Sequence, residues 1–487
     1  MGIDSVRYVH DGRIVSAQWR GNAHTLLQHL REQRGLTGTK EGCAEGDCGA
    51  CLVIVGELDA DGQAVRYRSA NACFMPLSAM HGRLLITVED LGRPSALHPV
   101  QQAMVQEHGS QCGFCTPGFV MSLYEHYLHH DAATSTDAVH EQLSGSLCRC
   151  TGYAPILRAA KTMFSLPRVE RDRRADLDVL LKLSTETQDE RLESGSEVAW
   201  LPRSSDAVAA LRAQRPESTL IGGSTDAGLW TTKQLRRLPE IIQLANVRDL
   251  KTVAVSPQAI VIGAATPLTD AFDALNREFP ELSQLWSRFA SPAVRNQGTL
   301  GGNIANASPI GDSMPALLSL GARLVLRAGD VRRELPLEDF FLAYQRTALE
   351  PGEFIEVIKI PRRSPHLFLR GYKMSKRHDD DISAVCLCLA LELDDDIVRH
   401  ARFGVGGMAA MPRRAPQTEA ALIGQLLCET TMQQVGRVLA SEFTPISDHR
   451  ASAAYRLKLA GNLLVRAAVE HAGAEKVRVT RIAGAAE

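Results

Sequence analysis

Eight of the eleven cysteines fall in the first third of the chain, and their spacing is what could do chemistry. Cys43, Cys48 and Cys51 stand as C-x4-C-x2-C inside Glu41-Gly-Cys-Ala-Glu-Gly-Asp-Cys-Gly-Ala-Cys51, and Cys73 follows further on. Plant-type [2Fe-2S] clusters take their thiolates at this spacing. A loop that delivers three thiolates to one small inorganic core must wrap tightly, and Gly42, Gly46 and Gly49 are read as supplying the unusual angles and open amides. Zinc usually draws its ligands from paired short repeats, which suits this spacing poorly.

A second set is Cys112-Gly-Phe-Cys115 with Cys148-Arg-Cys150. C-x2-C is also common in zinc sites and redox dithiols, so spacing alone leaves iron-sulfur and zinc both open here. A thioredoxin-like dithiol would need no second pair and would sit in a βαβ context, which is missing. Thr116-Pro117 reads as a helix start, which puts ligand pairs near helix ends where backbone amides favour negative charge. Cys386 and Cys388, in the apolar run Ala384 to Leu393, read as buried core thiols.

Two glycine-rich stretches point to a ligand of another kind. Thr219-Leu-Ile-Gly-Gly-Ser-Thr-Asp-Ala-Gly228 is a strand entering a turn whose successive N–H groups from Gly222 to Asp226 form an anion nest, although it is not G-x-G-x-x-G. Asn296 to Asp312 is dense in small and amide residues, which bring backbone close to a flat or phosphorylated ligand. The charge run Lys376 to Asp381 is the usual mark of a solvated loop, and its use depends on what lies beside it.

The elements that must position these residues follow in order. Val6 to Val9 and Arg13 to Ala17 alternate around His10-Asp11-Gly12 as a hairpin, Thr25 to Leu36 has helical spacing, and Cys51 to Gly56 leaves the cysteine loop as a strand. That is a small β-grasp domain over residues 1–91. Four helices are expected at Val100 to His108, Pro117 to His129, Asp137 to Ser146 and Ala154 to Phe164, within a domain of residues 92–165. Residues 166–196 are rich in Arg, Asp, Glu, Ser and Thr, with a short apolar stretch at Leu177 to Leu183, and read as a surface linker. An α/β domain at 197–370 and a C-terminal α/β domain at 371–487, helical from Glu419 to Ala474, complete an α+β multidomain chain. At 487 residues, 45% hydrophobic and 23% charged, the composition is that of an ordinary soluble protein. A net charge of -2 gives no sign of nucleic acid, and neither a signal peptide nor a membrane span is evident, so the cytoplasm is expected.

Together these stretches resemble the molybdenum hydroxylases, from about Val6 to about Val465. Four landmarks carry the likeness in order: Gly42 to Cys51, Gln111 to Gly118 with Cys148 to Tyr153, Leu220 to Asp226, and Gly301 to Asp312. The resemblance implies that Cys112, Cys115, Cys148 and Cys150 hold a second [2Fe-2S] cluster. It implies that Leu220, Ile221, Gly222, Gly223, Ser224, Thr225, Asp226 and Ala227 hold the FAD pyrophosphate. Gly302, Asn303, Ser308 and Asp312 would line the rest of the dinucleotide, with Phe289, Thr299, Ile355 and Lys373 as further contacts. It also places the Lys376 to Asp381 loop beside the flavin. The family's molybdenum cofactor lies in a domain for which this chain has no room, so a large partner subunit in a two-plus-two assembly is expected, with no catalytic residue assigned here. The chain would then carry electrons to NAD+. Fusion of the iron-sulfur and flavin parts implies the type that oxidises hypoxanthine and xanthine. Two other readings of the residues stand beside this one: a zinc-stabilised interaction protein, and a self-contained flavin and iron-sulfur reductase.

Overall fold

The Asp-Gly turn signal is realised at the start of the chain. Ser5–His10 pairs antiparallel with Arg13–Gln18, and Asp11 and Gly12 both take positive φ, 50° and 67°, as a two-residue hairpin requires. The computed structural model describes residues 3–187 and 190–473. Leu52–Leu58, leaving the cysteine loop, pairs with Val65–Asn71 on one side and Leu84–Ile86 on the other. Leu84–Ile86 in turn runs parallel to Ser5–His10, closing a five-stranded mixed sheet. In place of an unbroken helix over Thr25 to Leu36 there is one α-turn, Leu26–Gln28, capped by the Thr25 hydroxyl and continued by the π-helical segment His29–Gln33.

Alternate residues of this sheet serve two different cores, so both faces are dry. Leu52, Ile54, Leu84 and Ile86 pack with the helices that follow. Val53, Val55 and Leu85 pack with Leu26, Leu27 and Leu30, and also with Ile221 and Ile241 of the next α/β domain. The helices are Pro99–Gln106, Thr116–His129, Thr136–Leu143 and Ala154–Thr162. Pro99 and Pro117 stand in first turns, where a missing N–H costs nothing, and the Ser135 hydroxyl caps the third helix.

Residues 166–196 are not the bare surface linker expected. They carry the helix Arg173–Glu186 and the strand Glu190–Ser194, which pairs with Glu197–Leu201 across the expected boundary. Leu177, Leu180 and Leu183 are buried against the helical-domain side of the first sheet. The short apolar stretch at Leu177 to Leu183 is the buried stripe of this helix. This helix is also tied by charge: the Tyr67 hydroxyl donates to Asp176 at 2.5 Å, and Arg171 pairs with the same carboxylate.

The next domain combines a four-stranded sheet, ordered Glu190–Ser194, Glu197–Leu201, Glu240–Gln243 and Thr219–Ile221, with a five-stranded antiparallel sheet. Last come four antiparallel strands, Leu367–Met374, Val385–Asp394, Ile397–Gly406 and Arg413–Arg414, covered by Pro416–Leu422, Glu429–Glu442 and Ala453–His471. The strand Leu367–Met374 crosses the expected boundary at residue 371, and residues 474–487 lie outside those described, as does the expected helical limit at Ala474. Cys386 and Cys388 are fully buried in the second of these strands.

Leu180 is fully buried beneath the helix that replaces the linker. Leu180→Ala should therefore cost about 2–5 kcal/mol in denaturant unfolding followed by fluorescence. A change below about 1 kcal/mol would mean the segment is only draped over the surface.

Candidate functional site

The cysteine loop Glu41 to Cys51 is shaped by more than glycine freedom. Gly46 and Gly49 take φ of 90° and 69°, but the third left-handed position is Ala44, at 55°. Gly42 is needed for a different reason than expected, because a β-carbon there would sit 2.7 Å from Cys48 Sγ. One loop amide, Glu45 N, donates to Cys43 Sγ at 3.4 Å, and from the neighbouring strand the Asn71 side-chain amide Nδ2 donates to Cys51 Sγ at 3.7 Å.

The thiols stand in pairs. Cys43 and Cys48 lie side by side, and each acts on the other: the neighbouring thiol pulls Cys43 down and pushes Cys48 up. Cys51 and Cys73 do the same, with Cys51 pulled down and Cys73 pushed up. In the helical domain Cys115 lies against Cys148, and burial first, then that neighbour, pushes Cys115 up to about 12. Cys150 is likewise raised by its hydrogen bond to Cys112. Cys148 Sγ accepts from Thr151 Oγ1 at 3.2 Å and from its amide at 3.4 Å, and Cys148 N donates to the Tyr153 hydroxyl at 3.1 Å. Among the described residues no group of three or more His, Cys, Asp or Glu side chains is set to hold one metal ion. Four thiols per site is the ligand number of a binuclear [2Fe-2S] centre, and the first set adds the plant-type spacing.

The two cysteine sets touch through the backbone. Leu147 N donates to the Cys48 carbonyl at 3.0 Å, so residues flanking a ligand in one set meet a ligand of the other. The exposures differ. Cys51 and Cys73 are buried at 1% and 4%, whereas Cys112 and Cys150 are exposed.

The glycine stretches line two clefts that run into each other. One, of about 350 Å³, is walled by Leu220, Ile221, Gly222, Gly223, Ser224, Thr225, Asp226 and Ala227, with Thr299, Gly302 and Asn303 opposite. The other, of about 610 Å³, is walled by Phe289, Asn303, Ser308, Asp312 and Lys373. Asp226, Asn303 and Asn306 belong to both, so the two clefts adjoin along a shared wall. Ile355 does not belong to either wall: it faces inward from the strand Phe354–Pro361, 5% exposed, in the domain core. Gly223 also departs from expectation. A β-carbon there would lie 1.8 Å from the Gln297 carbonyl, so the close approach that excludes a side chain is made by the chain itself.

In the wider cleft Lys373 Nζ donates to Asp312 Oδ2 at 2.5 Å, and Ser383 Oγ donates to the same oxygen at 2.9 Å. Asp312 Oδ1, buried, has no partner. An unpaired carboxylate oxygen in a dry site asks for a donor from a bound group. The turn from Leu220 to Ala227 along one cleft, the residues shared by the two clefts and this orphan oxygen all fit FAD. Thr299, by contrast, uses its hydroxyl to accept from Gly302 N at 3.1 Å as a helix cap.

Residues missed by sequence reasoning come from distant parts of the chain. Asp47, inside the cysteine loop, lines the wider cleft beside Asp380 and Lys373. Buried Arg288 donates to the carbonyls of His378 and Lys373, each at 2.9 Å, and to Ser375 Oγ at 3.0 Å, which fixes the acidic loop against the cleft. Their only sequence signal was proximity to Cys48 and Phe289. Asp380 takes φ 46°, and burial with the nearby Asp47 carboxylate raises it to about 6.

Four family models match in succession: "2Fe-2S iron-sulfur cluster binding domain" at residues 9–78, "[2Fe-2S] binding domain" at 87–161, "FAD binding domain in molybdopterin dehydrogenase" at 192–363, and "CO dehydrogenase flavoprotein C-terminal domain" at 370–471. Xanthine dehydrogenase of Drosophila subobscura is 32% identical over 91% of this chain and 37% of its own length. That of Emericella nidulans is 33% identical over 87% and 35%. The chain thus spans little more than a third of these relatives. Among solved structures, reconstituted CO dehydrogenase from Oligotropha carboxidovorans matches at TM-score 0.52 and 27% identity, covering 56% of this chain and 97% of that one. Quinoline 2-oxidoreductase from Pseudomonas putida 86 shares the fold at TM-score 0.51 and 24% identity, covering 55% and 94%.

Two outcomes follow from this geometry. Gly223→Val should drive the Leu220–Ala227 turn off the Gln297 carbonyl and yield protein with its iron-sulfur absorption intact but little flavin; full flavin occupancy would remove this turn from the site. A native carboxyl raised above its unfolded value costs stability once ionised, so the penalty at Asp380 grows between about pH 4 and pH 6 and stays constant above. Asp380→Asn should accordingly raise the melting temperature near pH 8 and leave it unchanged below about pH 4. A shift independent of pH would contradict the assignment.

Proposed function

The chain belongs to the molybdenum hydroxylase family, and from that premise we propose that it is the electron-transfer subunit of a xanthine dehydrogenase. It would pass electrons from a molybdenum-cofactor partner through two [2Fe-2S] sites and FAD to NAD+ while hypoxanthine and xanthine become urate. When bound, the clusters and the flavin supply the one- and two-electron redox chemistry.

The observation that carries this reading is the continuity of the three sites. The helical-domain cysteines meet the Cys43–Cys51 loop at the Leu147 to Cys48 hydrogen bond, and Asp47 of that same loop lines the flavin cleft. The residues proposed to hold cofactors are Cys43, Cys48, Cys51 and Cys73 in one set, Cys112, Cys115, Cys148 and Cys150 in the other, and the groove residues from Leu220 to Lys373 other than Ile355. Arg288 and the Asp312–Lys373 pair hold the cleft wall rigid, and Phe289 supplies an apolar face to a flat ring system.

At the opposite end, exposed Cys112 and Cys150 lie among exposed Phe114, Leu147 and Tyr153. An apolar rim around ligands left open to solvent is what a docking surface for the molybdenum-bearing partner needs. A two-plus-two assembly is proposed on the same family premise. No helix among the described residues is long and apolar enough to cross a membrane. A cytoplasmic location is proposed on the family premise alone.

Likeness to the CO dehydrogenase of Oligotropha carboxidovorans supports a second reading, the iron-sulfur and flavin part of a hydroxylase for an aldehyde, an N-heterocycle or another small molecule. Identity of 30–33% to xanthine dehydrogenases over about nine-tenths of the chain favours the first.

Produced alone and loaded with its cofactors, the chain should transfer electrons from NADH to an artificial acceptor dye. It should hydroxylate xanthine only after a larger molybdenum-bearing subunit is added, with urate formation as the readout. Urate from the isolated chain, verified free of molybdenum, would overturn the assignment.

A further inference from the structure

The short helix Ala227–Thr232 begins at the flavin-side turn and ends on the cysteine loop of another domain. Along its length Gly228 lies so close to the Phe74 carbonyl, next to Cys73, that a β-carbon would be 2.4 Å away. At its end Thr232 Oγ1 donates to the Ala44 carbonyl at 3.1 Å. Lys233 Nζ donates to the Cys43 carbonyl at 2.5 Å and pairs with Glu45 at 3.3 Å. Glu45 is the residue whose amide donates to Cys43 Sγ.

From Glu41 to Cys51 the loop carries Glu41, Glu45 and Asp47 and no lysine or arginine. Lys40 turns away, giving its ammonium to the Thr37 carbonyl at 2.5 Å. A four-thiolate cluster is anionic and gains charge on reduction, so carboxylates nearby disfavour the reduced form and a cation favours it. Lys233 brings positive charge to the backbone of one ligand and pairs with the carboxylate of Glu45, the residue whose amide meets that ligand's sulfur, from the domain that carries the flavin groove.

We propose that Lys233 is a positioning residue that holds the Cys43–Cys51 loop against the flavin domain and raises the reduction potential of the cluster in that loop. This rests on the reading of Cys43, Cys48, Cys51 and Cys73 as a [2Fe-2S] site. The test is a redox titration of the fully loaded chain, followed by electron paramagnetic resonance, for wild type, Lys233→Met, Lys233→Arg and Glu45→Gln. In Lys233→Met one of the two iron-sulfur midpoints should fall, the other should stay, and iron and flavin content should match wild type. Lys233→Arg should restore the midpoint. Glu45→Gln should move the same signal upward, which keeps the proposal testable if the methionine variant folds poorly. An unmoved midpoint in both Lys233→Met and Glu45→Gln, an equal shift of both signals, or an arginine variant as low as methionine would each overturn it. Absence of two iron-sulfur signals in wild type would instead overturn the cluster reading, and this proposal with it.

Discussion

The Cys43–Cys51 loop is gripped by its backbone from two sides, and the rest of the structure depends on that grip. Leu147 N from the helical domain binds the Cys48 carbonyl, and Lys233 from the flavin domain binds the Cys43 carbonyl. Loop carbonyls are normally satisfied by water. Here they are satisfied by neighbours because electron transfer falls steeply with separation, so the segments that hold the redox groups must touch. Three domains can meet at one loop only if the sheet behind it is buried on both faces. That is why Ile54 and Val55, adjacent in one strand, belong to different cores.

Charge buried at these contacts is paired rather than left alone. Burial works to raise the Glu57 carboxyl, but Lys251 and Arg83 overcome it and hold the group well below its ordinary range. Lys251 comes from the flavin domain and reaches Glu57 of the first sheet at 2.8 Å. The pair Asp312–Lys373 is drier still, at 2% and 3% side-chain exposure, and Ser383 adds a third partner. Buried ion pairs of this kind are weak sources of stability and strong sources of geometry, since either member left unpaired costs several kcal/mol, roughly 3–5.

Much of this was legible in the sequence because the signals were local. The Asp11-Gly12 turn and the Thr116-Pro117 helix start each depend on a few neighbouring residues, and each appears as read. What was hidden depends on partners far along the chain. Nothing near Gly42 or Gly223 announces that Cys48 Sγ or the Gln297 carbonyl occupies the space where a side chain would go. Ile355 was expected at the groove, but a register shift opposite Val325 and Leu326 sets it in the same core as Ile358 and Ile360. The helix Arg173–Glu186 was read as linker because its charged residues outnumber the leucines that bury it. Asp47 has one meaning as part of a cysteine loop and another once the fold sets it in the flavin cleft.

The central claim is that one chain carries two separate iron-sulfur sites and a flavin in contact. Its most direct test is the metal and flavin content of the purified chain, by elemental analysis and flavin release. The account predicts about four iron atoms and one FAD per polypeptide, with zinc negligible. Stoichiometric zinc in place of iron, or a colourless chain without flavin, would contradict it.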